Sequence, residues 1–256
     1  MIIAARSPSR TVCTARSDGT EPMIKNKKLL LALSAAFLCV MAVLGVLLQT
    51  VQGRVPFNLR YTAVVFACLF CIVFAKKEPS YLFTQLALIF TVGADYFLVY
   101  RTDILQLPAM LCFSVVQVAY FLRLYVEDGN KTRPKVHLIL RAALSLAAVV
   151  VTVAVLGKDC DAVALVSMFY YANLVLNATF ACMDFKKNPI FAIGLVLFIL
   201  CDTVIGLSMI DAYLPVAADS LLYRILSPGF DLAWAFYLPS QALLAVSLLP
   251  SRWKRE

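Results

Sequence analysis

The chain has 256 residues, of which 62% are hydrophobic, and its mean hydropathy is +0.86. Both the hydrophobic fraction and the mean hydropathy exceed those of ordinary globular proteins, which excludes a protein whose main solvent is water. The formal charge of +8 lies between hydrophobic runs, a distribution that is typical of membrane topology signals and not of nucleic-acid binding.

The chain opens with a polar, basic N-terminal tail over residues 1–28, rich in Arg, Ser and Thr. We expect it to be disordered, or to include sequence upstream of a true start at Met23. Residues 29–256 are predicted to form a single membrane domain. Eight helical spans are predicted there, each long enough, or nearly so, for a ~30 Å hydrocarbon core: 29–49, 57–75, 81–100, 104–126, 138–157, 161–183, 189–212 and 230–249.

The basic residues are divided unequally between the two sides that this arrangement creates. One side holds both termini and 18 of the 23 Lys and Arg residues. The other side keeps only Arg54, Arg60, Arg101, Lys158 and Arg224. Under the positive-inside rule, both termini are predicted to be cytoplasmic, and the imbalance favours eight spans because removing one would destroy it.

The spacing of landmarks indicates an internal repeat. Tyr61 lies fifteen residues before Lys76-Lys77, and Tyr171 lies fifteen before Lys186-Lys187; Asp95 and Asp202 each precede a Leu-Pro pair, at 107 and 214, by twelve. The fold class predicted is therefore an all-α, polytopic membrane protein whose eight helices form two parallel four-helix repeats, over about 29–126 and 138–249.

Two carboxyls fall deep inside predicted spans. Counting ~1.5 Å per residue places Asp95 and Asp202 roughly 20 Å from the cytoplasmic face. Intramembrane acids are expensive and so indicate function. A carboxyl without water resists ionisation, and two in one cavity cannot both ionise easily. We expect one to act as an acid and the other as a base, which is the arrangement needed for hydrolysis without a metal.

Other polar side chains occur at helical spacing around these acids and predict a shared polar cavity. Each one taken alone is also explained by hydrogen bonding between helices. The predicted substrate-binding set is Gln117, Tyr120, Tyr170, Asn173, Asn177, Tyr237 and Gln241.

Metal and redox chemistry find little support. Most of the eight cysteines lie in apolar runs and are expected to be buried hydrophobes. Cys68 and Cys71 form a CxxC pair, but the only histidine, His137, is predicted to lie in a basic loop. No metal and no cofactor are predicted.

Five short motifs stand out: Gly93-Ala-Asp95, Phe113 with Gln117-Val-Ala-Tyr120, the Tyr170/Tyr171 stretch, Phe198-Ile-Leu-Cys-Asp202 and Tyr237-Leu-Pro-Ser-Gln241. Their order and spacing resemble the YhhN family of lysoplasmalogenases over spans 2 to 8. The resemblance implies an eight-helix membrane hydrolase that takes a single-chain ether lysophospholipid from the bilayer. It implies cleavage of the vinyl ether to a fatty aldehyde and a glycerophospho-alcohol, with Asp95 and Asp202 as acid and base. The family's usual histidine before the span-4 tyrosine is here Gln117, which can orient water or substrate but cannot shuttle a proton.

A second class of function uses the same acids. A small proton- or cation-coupled transporter would bind its ions at Asp95 and Asp202 and would also fit a parallel repeat. A retinal-type receptor is excluded because every lysine lies at a span boundary or in a loop.

Overall fold

A computed structural model describes residues 27–51, 55–75, 78–101, 105–128, 133–210, 213 and 229–249. Over these residues the secondary structure is helical and contains no strand. Most of the predicted tail, residues 1–26, lies outside the described residues, as do the landmarks Lys76-Lys77 and Leu214-Pro215. The α-helices are α1 (Lys27–Thr50), α2 (Val55–Phe74), α3 (Pro79–Asp95), α4 (Gln106–Asp128), α5 (Arg133–Leu156), α6 (Ala162–Met183), α7 (Pro189–Ser208) and α8 (Leu232–Val246).

Six helical segments are long and apolar enough to cross a membrane. They lie in α1, α4, α6 and α7, in α3 together with the π-helical turn Tyr96–Tyr100 that follows it, and in α5 together with the 3-10 turn Gly157–Asp159. Two further apolar helices are shorter, Asn58–Phe74 and Leu232–Val246. The protein is therefore an all-helical integral membrane protein. The crossing of the membrane by α2 and α8, and hence the count of eight spans, stays a prediction.

Several helices begin where the sequence provides a cap. Asp161, Asn188 and Asp231 each accept a backbone N–H from three residues downstream, at 2.7, 3.2 and 3.2 Å respectively. Pro79 and Pro189 occupy first-turn positions, where the missing proline N–H costs nothing. Local chemistry thus sets these starts.

Two elements differ from the predicted ones. The predicted span 81–100 is α-helical only to Asp95 and continues as a π-helical turn over Tyr96–Tyr100. Helix α5 begins at Arg133, five residues before the predicted start, so His137 lies on a helix and not in a loop. His137 is buried there, with its ring stacked 3.5 Å from the ring of Phe180. The structure therefore places His137 inside the bundle.

The helices pack as a bundle with two buried clusters. One cluster is formed mainly by α3, α4, α6 and α7, and the other by α1, α2 and α8. The most extensive helix pairs are α3 with α4 and α7 with α8, and α4 also packs on α6 while α8 packs on α2. The candidate site lies where α3, α6, α7 and α8 meet in the first cluster.

Candidate active site

Asp95 lies at the junction between α3 and its π-helical extension. Its side chain is buried, and the hydroxyl of Tyr237 on α8 donates a 2.7 Å hydrogen bond to its Oδ2. A π-helical turn changes the direction of side chains within a helix and is frequent at functional sites. The Asp95 carboxyl therefore lies in the interior of the bundle and not at a lipid-facing surface.

Asp202 lies in the second half of α7 and is also buried. The hydroxyl of Tyr170 on α6 lies within hydrogen-bonding reach of its carboxyl. The Asp202 Oδ2 atom is buried and has no hydrogen-bond partner among the side chains and backbone that the structure describes. An oxygen of this kind is available to a water molecule or a ligand.

Gln241, one turn after Tyr237 on α8, is fully buried, yet neither of its amide atoms has a hydrogen-bond partner within the described part of the chain. The same holds for the hydroxyl of Tyr120 on α4. Leaving a buried polar group unpaired costs about 1–3 kcal/mol. Such groups are usually satisfied by bound water or by a ligand.

Three further predicted binding residues, Gln117, Asn173 and Asn177, belong to a hydrogen-bond network that includes the guanidinium of Arg141. Asn173 and Asn177 on α6 both accept hydrogen bonds from the guanidinium of Arg141 on α5, the first at 2.9 Å. Asn177 also donates to the Gln117 Oε1 atom at 3.0 Å, which leaves the Gln117 Nε2 atom buried without a described partner. The structure therefore places Asn173 and Asn177 in a network that joins α4, α5 and α6.

Two buried arginines were missed by reasoning from the sequence. Arg123 on α4 is the largest fully buried side chain of the described residues, and it hydrogen-bonds Thr84 at 2.9 Å and Ser247 at 3.0 Å. Arg141 was counted only among the basic residues of the predicted cytoplasmic side. The signal for Arg123 was its position three residues after Tyr120, which continues the polar face of α4.

The site has the parts of an acid–base pair. It combines two buried carboxyls, Asp95 and Asp202, with the hydroxyls of Tyr237 and Tyr170, each of which lies beside one carboxyl. Because two buried carboxyls resist joint ionisation, one of them can serve as an acid and the other as a base. Among the described residues no group of three His, Cys, Asp or Glu side chains is arranged to hold a metal ion.

Comparison with known proteins gives one match. No curated protein and no solved structure matches the chain. The model of the YhhN family matches residues 57–248, a stretch that contains both aspartates, both tyrosines and Gln241. Since this match covers well over half of the sequence, the chain belongs to the YhhN family.

Proposed function

We propose that the protein is a membrane hydrolase that cleaves the vinyl ether bond of lysoplasmalogens, releasing a fatty aldehyde and a glycerophospho-alcohol. The observation that carries the proposal is the pair of carboxyls buried inside an apolar bundle, Asp95 beside Tyr237 and Asp202 beside Tyr170. Membership of the YhhN family supports it.

The reaction needs one acid and one base. The protonated carboxyl gives its proton to the vinyl carbon that does not bear oxygen, and the electron pair of the double bond forms the new C–H bond. The resulting oxocarbenium ion is attacked by water, and the second carboxyl takes the proton that water loses. The hemiacetal then collapses as a proton moves from its hydroxyl to the leaving alkoxyl oxygen, which gives aldehyde and alcohol and consumes one water.

Neighbouring groups suit this chemistry. Three buried amide atoms have no described hydrogen-bond partner: the donors Gln117 Nε2 and Gln241 Nε2 and the acceptor Gln241 Oε1. These atoms can therefore orient water or substrate. Gln117 cannot relay a proton, and the proton transfers therefore fall to Asp95 and Asp202. We leave open which of the two is the acid.

The proposed topology has eight spans, both termini in the cytoplasm and two parallel repeats. The helix neighbours support the repeat, because the pairs α1–α2, α2–α3 and α3–α4 have counterparts in α5–α6, α6–α7 and α7–α8. The contact of α4 with α6 likewise has its counterpart in that of α8 with α2. Each half then contributes one aspartate to the site.

The test is aldehyde release from lysoplasmalogen by the purified full-length protein in detergent or vesicles. We expect release by the wild type and none by the Asp95→Asn, Asp202→Asn double variant. The matched control is Asp159→Asn, which removes an exposed carboxyl from the turn after α5 and should leave release unchanged. Equal release by the wild type and the double variant would refute the assignment.

The transporter alternative is tested on the same material. If the aspartates couple proton movement to transport, proteoliposomes should acidify when an amphiphile or solute is added, and Asp95→Asn should abolish this. Acidification without aldehyde release would replace the hydrolase proposal.

A further inference from the structure

A cleft between α1 and α8 lies outside the aspartate site, on the other side of α8. Its volume is about 500 Å³, which is within the range of small-molecule sites. Its walls are mainly apolar and include Leu38, Met41, Gly45 and Leu238. Most of this wall belongs to α1, which the family model does not match.

One end of the cleft is polar. Gln49 on α1 lines it and forms two hydrogen bonds with the backbone of Asp231, donating to its carbonyl at 2.9 Å and accepting from its N–H at 2.8 Å. The Asp231 carboxylate forms an ion pair with Arg60 on α2. The Arg60 guanidinium lies 5.2 Å from the centre of the Trp234 ring, and Trp234 also lines the cleft. The Arg60–Asp231 ion pair therefore lies next to Gln49 and Trp234, the two residues that line this end of the cleft.

The wall near this end also carries a backbone acceptor. Pro239 lies inside α8 and has no N–H, so the carbonyl of Ala235 lacks the donor that the helix normally supplies. Both residues line the cleft. A hydroxyl group next to the polar end of a ligand would satisfy this oxygen.

The dimensions match one lipid of a single leaflet. The cleft runs along α1 from Leu38 to Thr50, which is ~18 Å at 1.5 Å per residue. Half of the ~30 Å hydrocarbon core is ~15 Å, so a chain that starts at the polar end would reach the bilayer midplane. The cleft lies between only two helices, which favours one hydrocarbon chain.

We propose that this cleft binds a single-chain lipid amphiphile, with its chain between α1 and α8 and a zwitterionic head group at Arg60 and Asp231. The phosphate would face Arg60 and the amine would face Asp231. This inference rests on the proposed function for the identity of its natural occupant, which would be the lysolipid substrate held beside the site before reaction. Binding itself requires no turnover.

Tryptophan fluorescence provides a direct measurement. The chain has two tryptophans, and Trp253→Phe leaves Trp234, at the wall of the cleft, as the single reporter. The full-length variant is reconstituted in vesicles of unlabelled diacyl phosphocholine. The probe is a single-chain phosphocholine lipid that carries bromine atoms in its chain, because bromine quenches tryptophan on close contact. The reference is a diacyl phosphocholine with the same brominated chain.

We expect saturable quenching by the single-chain probe at low mole fractions and only proportional, unsaturated quenching by the diacyl reference. Equal quenching by both at the same mole fraction would mean that bulk bilayer lipid fills the cleft and would overturn the proposal. Absence of quenching, for instance because a second copy of the chain covers the cleft, would overturn it as well. An unlabelled single-chain lipid with an uncharged sugar head should compete at least about tenfold less well, equivalent to about 1.4 kcal/mol. Equal competition would refute the role of Arg60 and Asp231.

Filling the cleft should weaken the saturable binding of the probe. Ala42 lines the cleft, and Ala42→Phe should weaken probe binding by about tenfold or more, or ~1.4 kcal/mol. Ala36→Phe is the matched control, because Ala36 is exposed on the same helix and does not line the cleft. If Ala42→Phe fails to fold, Gly45→Leu serves instead, since a Cβ atom at Gly45 would make an ordinary 3.5 Å contact with Leu238. Unchanged probe binding in the folded variant refutes the proposal.

The same titration on the Asp95→Asn, Asp202→Asn variant separates this proposal from the hydrolase proposal. Saturable quenching should persist there although aldehyde release is lost. Hydrolysis without saturable quenching would overturn the cleft and leave the hydrolase assignment intact. Saturable quenching without hydrolysis in the wild type would overturn the hydrolase assignment and leave the cleft proposal intact.

Discussion

Replacing Arg123 by lysine tests the buried polar network that joins four helices. The Arg123 side chain is completely buried on α4, and it reaches Thr84 on α3 and Ser247 at the end of α8. Its guanidinium also stacks 3.8 Å from the ring centre of Phe191 on α7. A lysine keeps the charge but replaces the planar fork by a single ammonium group, which cannot hold these positions at once.

The magnitude follows from the contacts that a lysine loses. We count two hydrogen bonds between helices, each worth ~0.6 to ~1.7 kcal/mol in membrane proteins. Loss of stacking on Phe191 adds ~0.5–1 kcal/mol. The charge of the lysine also stays buried with fewer partners, and these losses together amount to about 2–4 kcal/mol. For a protein of this size each kcal/mol lowers the melting temperature by about 2–4 °C, so the expected decrease is roughly 4–16 °C.

The assay is thermal unfolding of the purified protein in detergent, followed by circular dichroism. The matched control is the reverse exchange at an exposed position, Lys187→Arg, because the Lys187 side chain is 55% exposed and its described ion pair is with Asp184 at 3.1 Å. It should change stability by no more than about 0.5 kcal/mol. A melting temperature of Arg123→Lys indistinguishable from that of Lys187→Arg would refute the view that Arg123 joins the helices.

Two further predictions concern the site and the helix interface beside it. Tyr237→Phe removes only the hydroxyl that donates a 2.7 Å hydrogen bond to Asp95. It should reduce aldehyde release about fivefold or more, since a hydrogen bond is worth about 1 kcal/mol and more where the acceptor is charged; unchanged release would show that this contact does not position the Asp95 carboxyl. Gly194→Ala should destabilise the fold by about 1–3 kcal/mol, because a Cβ atom there would lie 2.9 Å from the Leu244 Cγ atom, whereas Gly206→Ala meets open space and should be tolerated. Equal melting temperatures for the two glycine variants would contradict the close approach of α7 and α8.

Much of the fold could be predicted because membrane helices follow simple rules of length and hydropathy. The six long spans were predicted within a few residues of the segments found. Contacts between distant residues were less predictable. Helix α5 begins at Arg133, and His137 near its start stacks on Phe180, which lies 43 positions away in the chain. Neither residue carries a local signal of that contact.

The site was predictable in its acids and less so in their partners. Asp95 and Asp202 were singled out because charge inside hydrocarbon is expensive, and this physical cost is visible in the sequence. That Tyr237 donates to Asp95 while Asn177 binds Arg141 depends on which helices are neighbours. Periodicity shows that residues share a face of a helix, but it does not show what lies opposite that face.

An integral membrane protein with apolar helices and a buried pair of aspartates follows from the amino-acid sequence alone, because composition and the cost of burying charge do not depend on the arrangement of helices. Helix packing is responsible for the remaining features. It brought Asp95 against α8 at the start of a π-helical turn, gave Arg123 and Arg141 their buried partners, and opened the cleft between α1 and α8. These features depend on contacts between residues far apart in the chain, and such contacts arise only when the helices pack.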